Sequence, residues 1–435
     1  MAVPVPAKSI TGGQAATPVL SAGVVRSLEA AQEAIRTRHW GAALAAIKAA
    51  QGVSHKTAMD EYDIDELLAY TLYRQNKYAQ AVIVFERLLG SPLMPATQRA
   101  ERTEAVAEMY FRLGNYAKAA RWAGEFLQRH SGNAEMSLIL GDSYFRMSHY
   151  REAAATMSAA VADLERTKRV PPEAWLRIIE DSDYRLEDVQ GMKRALLQIV
   201  RYYPRPEDWS QLIDLSSQDV RDSRVALGYR RLMLDLDVLK RPDDYESMAI
   251  EALEVGLPAE ALHVLQQGER DGVFMAPDVL PGRHERLLEL AQERTAANRL
   301  SLPQLAAKAM AAATGQADVL VGQMYLSYGK YEQAVDALRS GIAKGLVNDI
   351  DEAHISLGIA YLKEGRKELA ERAFGSVPKG SKWSNLAELW ALRVADSGLV
   401  PLAVHRWDRG EASLRRESRW SPSALATGTS PSPIS

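Results

Sequence analysis

A spacing of 34 residues recurs along this chain and limits its possible folds more than any other feature. Tyr110, Tyr116 and Ala119 return 34 residues later as Tyr144, Tyr150 and Ala153. The same small and aromatic pattern reappears as Ala69, Leu72, Tyr78, Ala81 and Phe85. Towards the other end it reappears as Gly322, Tyr325, Tyr331 and Ala334, then as Gly358, Tyr361, Ala370 and Phe374. A fixed period of about 20–50 residues marks stacked supersecondary units, each unable to bury its apolar face alone. A length of 435 residues would ordinarily suggest about three domains; the repeat replaces them with one quasi-linear array. Apolar residues at 47% supply a core and exclude wholesale disorder.

Each repeated position has a physical role. A Gly or Ala on the first helix lets the second helix approach closely, and the Ala on the second does the same from its side. The aromatic and large residues fill the space around that contact. Gly114, Gly329 and Gly365 stand where a first helix must end in a left-handed residue, which glycine adopts without strain. No alternating Val/Ile/Thr run bounded by turns signals a strand.

These units resemble the tetratricopeptide repeat (TPR), most fully at Leu140–Ala153, Val321–Ala334 and Leu357–Ala370. The resemblance implies an all-α fold, a right-handed α-solenoid of roughly ten TPR or TPR-like hairpins at about 34–40 residues each. The expected organisation is a flexible leader over 1–23, an N-terminal array over 24–165 and degenerate hairpins over 166–240. A C-terminal array over 241–398 and a disordered tail over 399–435 follow. Asp208–Lys240 and Gly282–Thr314 keep helical periodicity without the signature. Lys382–Asp396 is expected to cap the last hairpin with Trp383, Leu386, Leu389 and Trp390 on one face.

In this family the first helices line the concave face, and particular positions on them meet ligands. Carried over, these positions are Asp63, Glu66, Tyr70, Tyr73 and Arg74 in one unit. The next unit offers Glu101, Glu104, Glu108, Phe111 and Arg112; the third offers Glu135, Leu138, Asp142, Phe145 and Arg146. Seven carboxylates on one groove would attract a basic segment of a protein or peptide partner and repel nucleic acid. The recurring aromatic–Arg pairs suit a ligand-stacking ladder or, as usual in the family, the scaffold. The Lys and Asn with which chaperone-tail binders grip a peptide carboxylate are replaced by Glu104, Glu108 and Ile139.

Other chemistries find little support. Cysteine is absent, so disulfides, thiolate metal sites and cysteine nucleophiles are excluded. No phosphate-binding loop, dinucleotide fingerprint or Gly-x-Ser-x-Gly elbow occurs. None of the eight histidines falls in a His-Glu-x-x-His pair. The i,i+2 pairs Asp63/Asp65, Asp181/Asp183 and Asp235/Asp237 do not face each other on a helix. We therefore expect no catalytic residue, cofactor or metal, and no membrane insertion, since no uncharged apolar run approaches about 20 residues. Formal net charge is only −3.

The segments Leu28–Ala34, Val200–Pro204 with Trp209, and Gly341–Gly345 resemble exported TPR proteins of Gram-negative bacteria. That resemblance implies a non-enzymatic scaffold or adaptor in an envelope transport or assembly complex, and a periplasmic location. The first residues lack the basic start and apolar stretch of a secretory signal, which leaves the cytoplasm as the alternative. A regulatory or ligand-sensing module and a glycan-processing enzyme are the rival functions. Neither the partner's identity nor the oligomeric state is legible.

Overall fold

The computed structural model describes residues 21–275 and 282–396. The expected leader and tail lie mostly or wholly outside them. The described residues form 20 α-helices and one short 3-10 turn, with no strand among them. They divide into two compact units that part between Lys168 and Arg169.

In the first unit, α1 (Ala22–Arg36) pairs with α2 (Trp40–Gln51) and α3 (Ala58–Arg74) with α4 (Tyr78–Gly90). Likewise α5 (Ala96–Arg112) pairs with α6 (Tyr116–Arg129) and α7 (Ala134–Arg146) with α8 (Tyr150–Arg166). Polar side chains start several of these helices. Thr57 and Asp60 form a reciprocal capping box on α3, while Asn115 and Asn133 accept backbone N–H bonds on α6 and α7.

The hairpin turns repeat one hydrogen-bond scheme. Asn115 N–H donates to the Tyr110 carbonyl at 2.9 Å, and Gly114 N–H donates to Phe111 at 3.0 Å. Lys330 with Tyr325, and Arg366 with Tyr361, repeat the longer bond at 2.9 Å. This is the Schellman arrangement, and its left-handed residue is Gly114, Gly329 or Gly365, as expected. Arg38, Asn76, Ser148 and Glu187 occupy equivalent places with φ of 56° to 62°, so the turn forms even without glycine.

The second unit begins with α9 (Glu173–Arg185) and α10 (Val189–Tyr202), then α11 (Pro206–Ser217) and α12 (Ser223–Asp235). The hairpin of α13 (Pro242–Glu254) and α14 (Pro258–Arg270) follows. After it, α15 (Arg283–Ala311) runs as one helix of 29 residues with Pro303 inside it. No left-handed residue interrupts α15, so the stretch read as repeat-like without its signature does not fold back into a hairpin. The hairpins α16 (Gln316–Ser327) with α17 (Tyr331–Lys344), and α18 (Ile350–Lys363) with α19 (Lys367–Gly375), restore the pattern. Leu386, Leu389 and Trp390 of the last helix, α20 (Ser384–Asp396), are buried, as is Trp383 just before it. Trp390 stacks on Phe374 of α19 with ring centroids 5.9 Å apart. Residues 169–240, degenerate in sequence, pack in the same unit as the hairpins that follow them.

The close approach of paired helices is visible at the glycines. A Cβ on Gly141 would lie 2.2 Å from the Met157 sulfur, one on Gly322 would lie 2.6 Å from Leu338, and one on Gly358 would lie 2.5 Å from the Phe374 ring. Phe374 is buried and backed by Trp390, so it cannot retreat. We therefore expect Gly358→Ala to destabilise the second unit. The overpacking cost of about 1–3 kcal/mol exceeds the helix propensity of about 1 kcal/mol that alanine adds. Gly41→Ala, where a Cβ meets nothing within 4 Å, is the control and should be neutral or stabilising. Urea midpoints of the two variants measure the contrast; equal midpoints would refute the seam.

Candidate functional site

First helices of neighbouring hairpins in the first unit touch directly, α1 with α3 and α5 with α7. Side chains on their facing stripes therefore meet at sequence separations close to the repeat length. Glu66 of α3 receives a hydrogen bond from Arg102 of α5 at 3.0 Å, 36 residues away. The Tyr73 hydroxyl donates to Glu108 at 3.4 Å, 35 residues away. Glu104 accepts from the Asn133 amide at 2.5 Å.

These contacts divide the seven expected carboxylates. Glu66 is buried and also accepts from the Tyr62 hydroxyl at 3.2 Å. Glu108 pairs with Arg112, whose Nε is 3.0 Å away. Asp142 pairs with Arg146 at 3.0 Å, and burial still pushes its carboxyl up against that attraction. Glu101 remains exposed, 4.0 Å from Arg102, and Glu135 is exposed in the first turn of α7. Asp63 is half-buried, with one carboxylate oxygen that has no hydrogen-bond partner. Burial pushes its carboxyl up to about 6, with the charges of Glu66 and Asp60 adding to the shift.

The aromatic–Arg pairs form a regular seam between hairpins. Tyr73 meets Tyr78, Phe111 meets Tyr116 and Phe145 meets Tyr150, each edge-on, at 5.8, 5.6 and 5.5 Å. The arginine that follows each aromatic reaches back to the residue opening the preceding hairpin's second helix. Arg74 lies over Trp40 at 5.8 Å, Arg112 over Tyr78 at 5.1 Å and Arg146 over Tyr116 at 5.4 Å. Tyr70 packs edge-on to Trp40 at 6.5 Å and shares Arg74. Such cation–π contacts contribute roughly 0.5–1 kcal/mol each where exposed. The faces of these rings are turned to the neighbouring hairpin.

Arg102 was absent from the expected residues. Its side chain is 2% exposed, and it ties α3 to α5 through Glu66. Removing one partner of such a buried pair typically costs about 3–5 kcal/mol, because the other charge is left stranded. Its signal in the sequence is only its spacing from Glu66. A cavity of about 160 Å³ between α5 and α6 is lined by Arg99, Thr103, Phe126 and His130, and by none of the expected groove residues. Among the described residues no group of three or more His, Asp or Glu is arranged to hold a metal. No helix among them is long and apolar enough to cross a membrane.

The Asp63 geometry gives a pH dependence of definite sign. Between about pH 4 and pH 6 the folded chain holds a proton that the unfolded chain has released, so this group's contribution to stability falls as pH rises through that window. We expect Asp63→Asn to stabilise the first unit at pH 7.5, with the gain shrinking towards pH 4. Thermal unfolding across that range checks it; a gain independent of pH would contradict the assignment.

Comparison with known proteins follows the geometry. The chain matches the family model for the tetratricopeptide repeat over residues 28–95, and that for the anaphase-promoting complex, cyclosome, subunit 3, over residues 74–160. A solved tetratricopeptide repeat protein from Parabacteroides merdae is 15% identical, covering 78% of this chain and 99% of its own, with a TM-score of 0.33. The structure of Naa15/Naa10 bound to HypK-THB is 12% identical over 86% of this chain and 64% of that one, with a TM-score of 0.35. The Cut9–Hcn1 hetero-tetramer of APC/C gives 12%, 74%, 66% and 0.25 in the same order. No curated protein sequence matches. With the tetratricopeptide repeat model over residues 28–95, and the same turns and glycine seams recurring at α7–α8 and α16–α19, the chain carries tetratricopeptide repeats.

Proposed function

We propose that the chain is a non-enzymatic adaptor that holds a basic segment of a protein partner along the first helices of its N-terminal unit. The supporting observation is the acidic character of these helices. Seven carboxylates on α3, α5 and α7 face four arginines, Arg74, Arg102, Arg112 and Arg146. Of these carboxylates, Glu101 and Glu135 lie at the surface. Carboxylates spaced along adjacent helices favour a partner with cations repeated along its length, and they raise its encounter rate. Stacked rigid hairpins lose little ordering entropy on the scaffold side. We place this role in a bacterial envelope transport or assembly complex, the periplasm being the compartment that the order of segments supports.

The test is charge reversal. Glu101→Lys combined with Glu135→Lys should weaken binding of Lys/Arg-rich peptides from a charge-varied library by about tenfold at low salt, and less at high salt. Binding that ignores both the reversal and the salt would remove the basic partner from consideration.

A further inference from the structure

The second unit does not run as an open array. The chain leaves α12 at Asp235 and returns to it with α18 and α20, more than 110 residues later. Lys363, the last residue of α18, binds Asp235 at 2.5 Å, and Arg393 of α20 binds the other oxygen of the same carboxylate at 2.9 Å. At the opposite end of α12, Lys382 donates to Asp222, its N-cap, at 2.6 Å. The same ammonium lies 3.0 Å from Asp349, the N-cap of α18. Between these, Arg224 of α12 binds both oxygens of Glu352 at 3.0 and 3.2 Å.

The apolar part of this closure centres on one residue. Gly228 of α12 receives Leu386, where a Cβ would lie 2.4 Å from the leucine methyl, with Trp383 beside it. One turn further along the same face, Trp390 fastens α20 to α19 by its stack on Phe374, and Trp383 is fastened to Asp349 through its indole N–H at 3.0 Å. If the seam with α12 loosens, α20 therefore stays with α18 and α19, and α12 parts from all three. Three of the four cations at the seam are open to solvent: Lys382 is 49% exposed, and Lys363 and Arg224 are each 39% exposed, against 24% for Arg393. Interactions at such sites weaken as salt rises.

We propose that the described residues of 169–396 form a self-closing ring whose seam, where α20 also touches α10, is an ionic latch between α12 and α18–α20, and that screening the latch opens the ring. Closed, the unit spends its polar groups on itself. Arg231 is bound by Glu260 at 2.6 Å, and Gln323 donates to Glu352 and Ser356 at 3.1 and 3.2 Å. Opening frees Arg224 together with the Gly228 face of α12. This inference is independent of the groove proposed for the first unit.

The absence of cysteine allows clean labelling of the whole chain. Spin labels at Arg221→Cys and Glu388→Cys, both exposed positions, report the separation of α12 from α20. We expect one short distance at about 0.05 M sodium chloride and a longer population that grows about tenfold by about 1 M. Asp222→Asn combined with Asp235→Asn should show that longer population already at low salt, with helicity retained by circular dichroism. A distance distribution unmoved by salt in the parent chain would overturn the latch, as would a folded double variant indistinguishable from the parent. If the double variant does not fold, the salt titration of the parent decides alone.

Discussion

The best-formed hairpins depend on one constraint: two helices must lie close enough for the backbone of one to touch the side chains of the other. Gly141 against Met157, Gly322 against Leu338 and Gly358 against Phe374 are the same contact in successive guises. The left-handed turn that precedes most second helices delivers them at the right height. Once that spacing is set, the aromatic residues have fixed gaps to fill, and the outer face of each hairpin becomes the floor for the next. Burial here is local and repetitive, which suits an array whose stability is a sum of units and neighbour interfaces.

Much of this was legible because it is local. Spacing alone identified the hairpins around Tyr110, Tyr144, Tyr325 and Tyr361, and the buried face of α20 followed from helical periodicity. The single helix α15 was less legible. Its sequence has the period of a helix and a proline that normally ends one, and only the missing turn residue distinguishes one long helix from two short ones.

The candidate groove was half legible. Position within the repeat indicates that Glu66, Glu104, Glu108 and Asp142 lie on first helices. It does not say which of them a neighbour consumes. That depends on reach between stacked helices, where Arg102 crosses to Glu66 while Glu101, one residue away, stays at the surface. The closure of the second unit had no signal in the sequence. Its pairs join residues 128 to 160 positions apart, far outside any repeat period. Ion pairs of that kind follow from the path of the solenoid and not from local pattern.

The aromatic–arginine seam has a consequence for how such a chain can lengthen. In the first unit each repeat opens its second helix with a ring and ends its first helix with a cation, and from the second repeat on the cation of one lands on the ring of the one before. A repeat thus carries both halves of a plug-and-socket joint, as Arg112 on Tyr78 and Arg146 on Tyr116 show. A duplicated unit inserted in register would meet a matching half on each side with no further substitution. The grammar of the joint is complete within a single period, so the length of the array can change while its stacking rule stays the same.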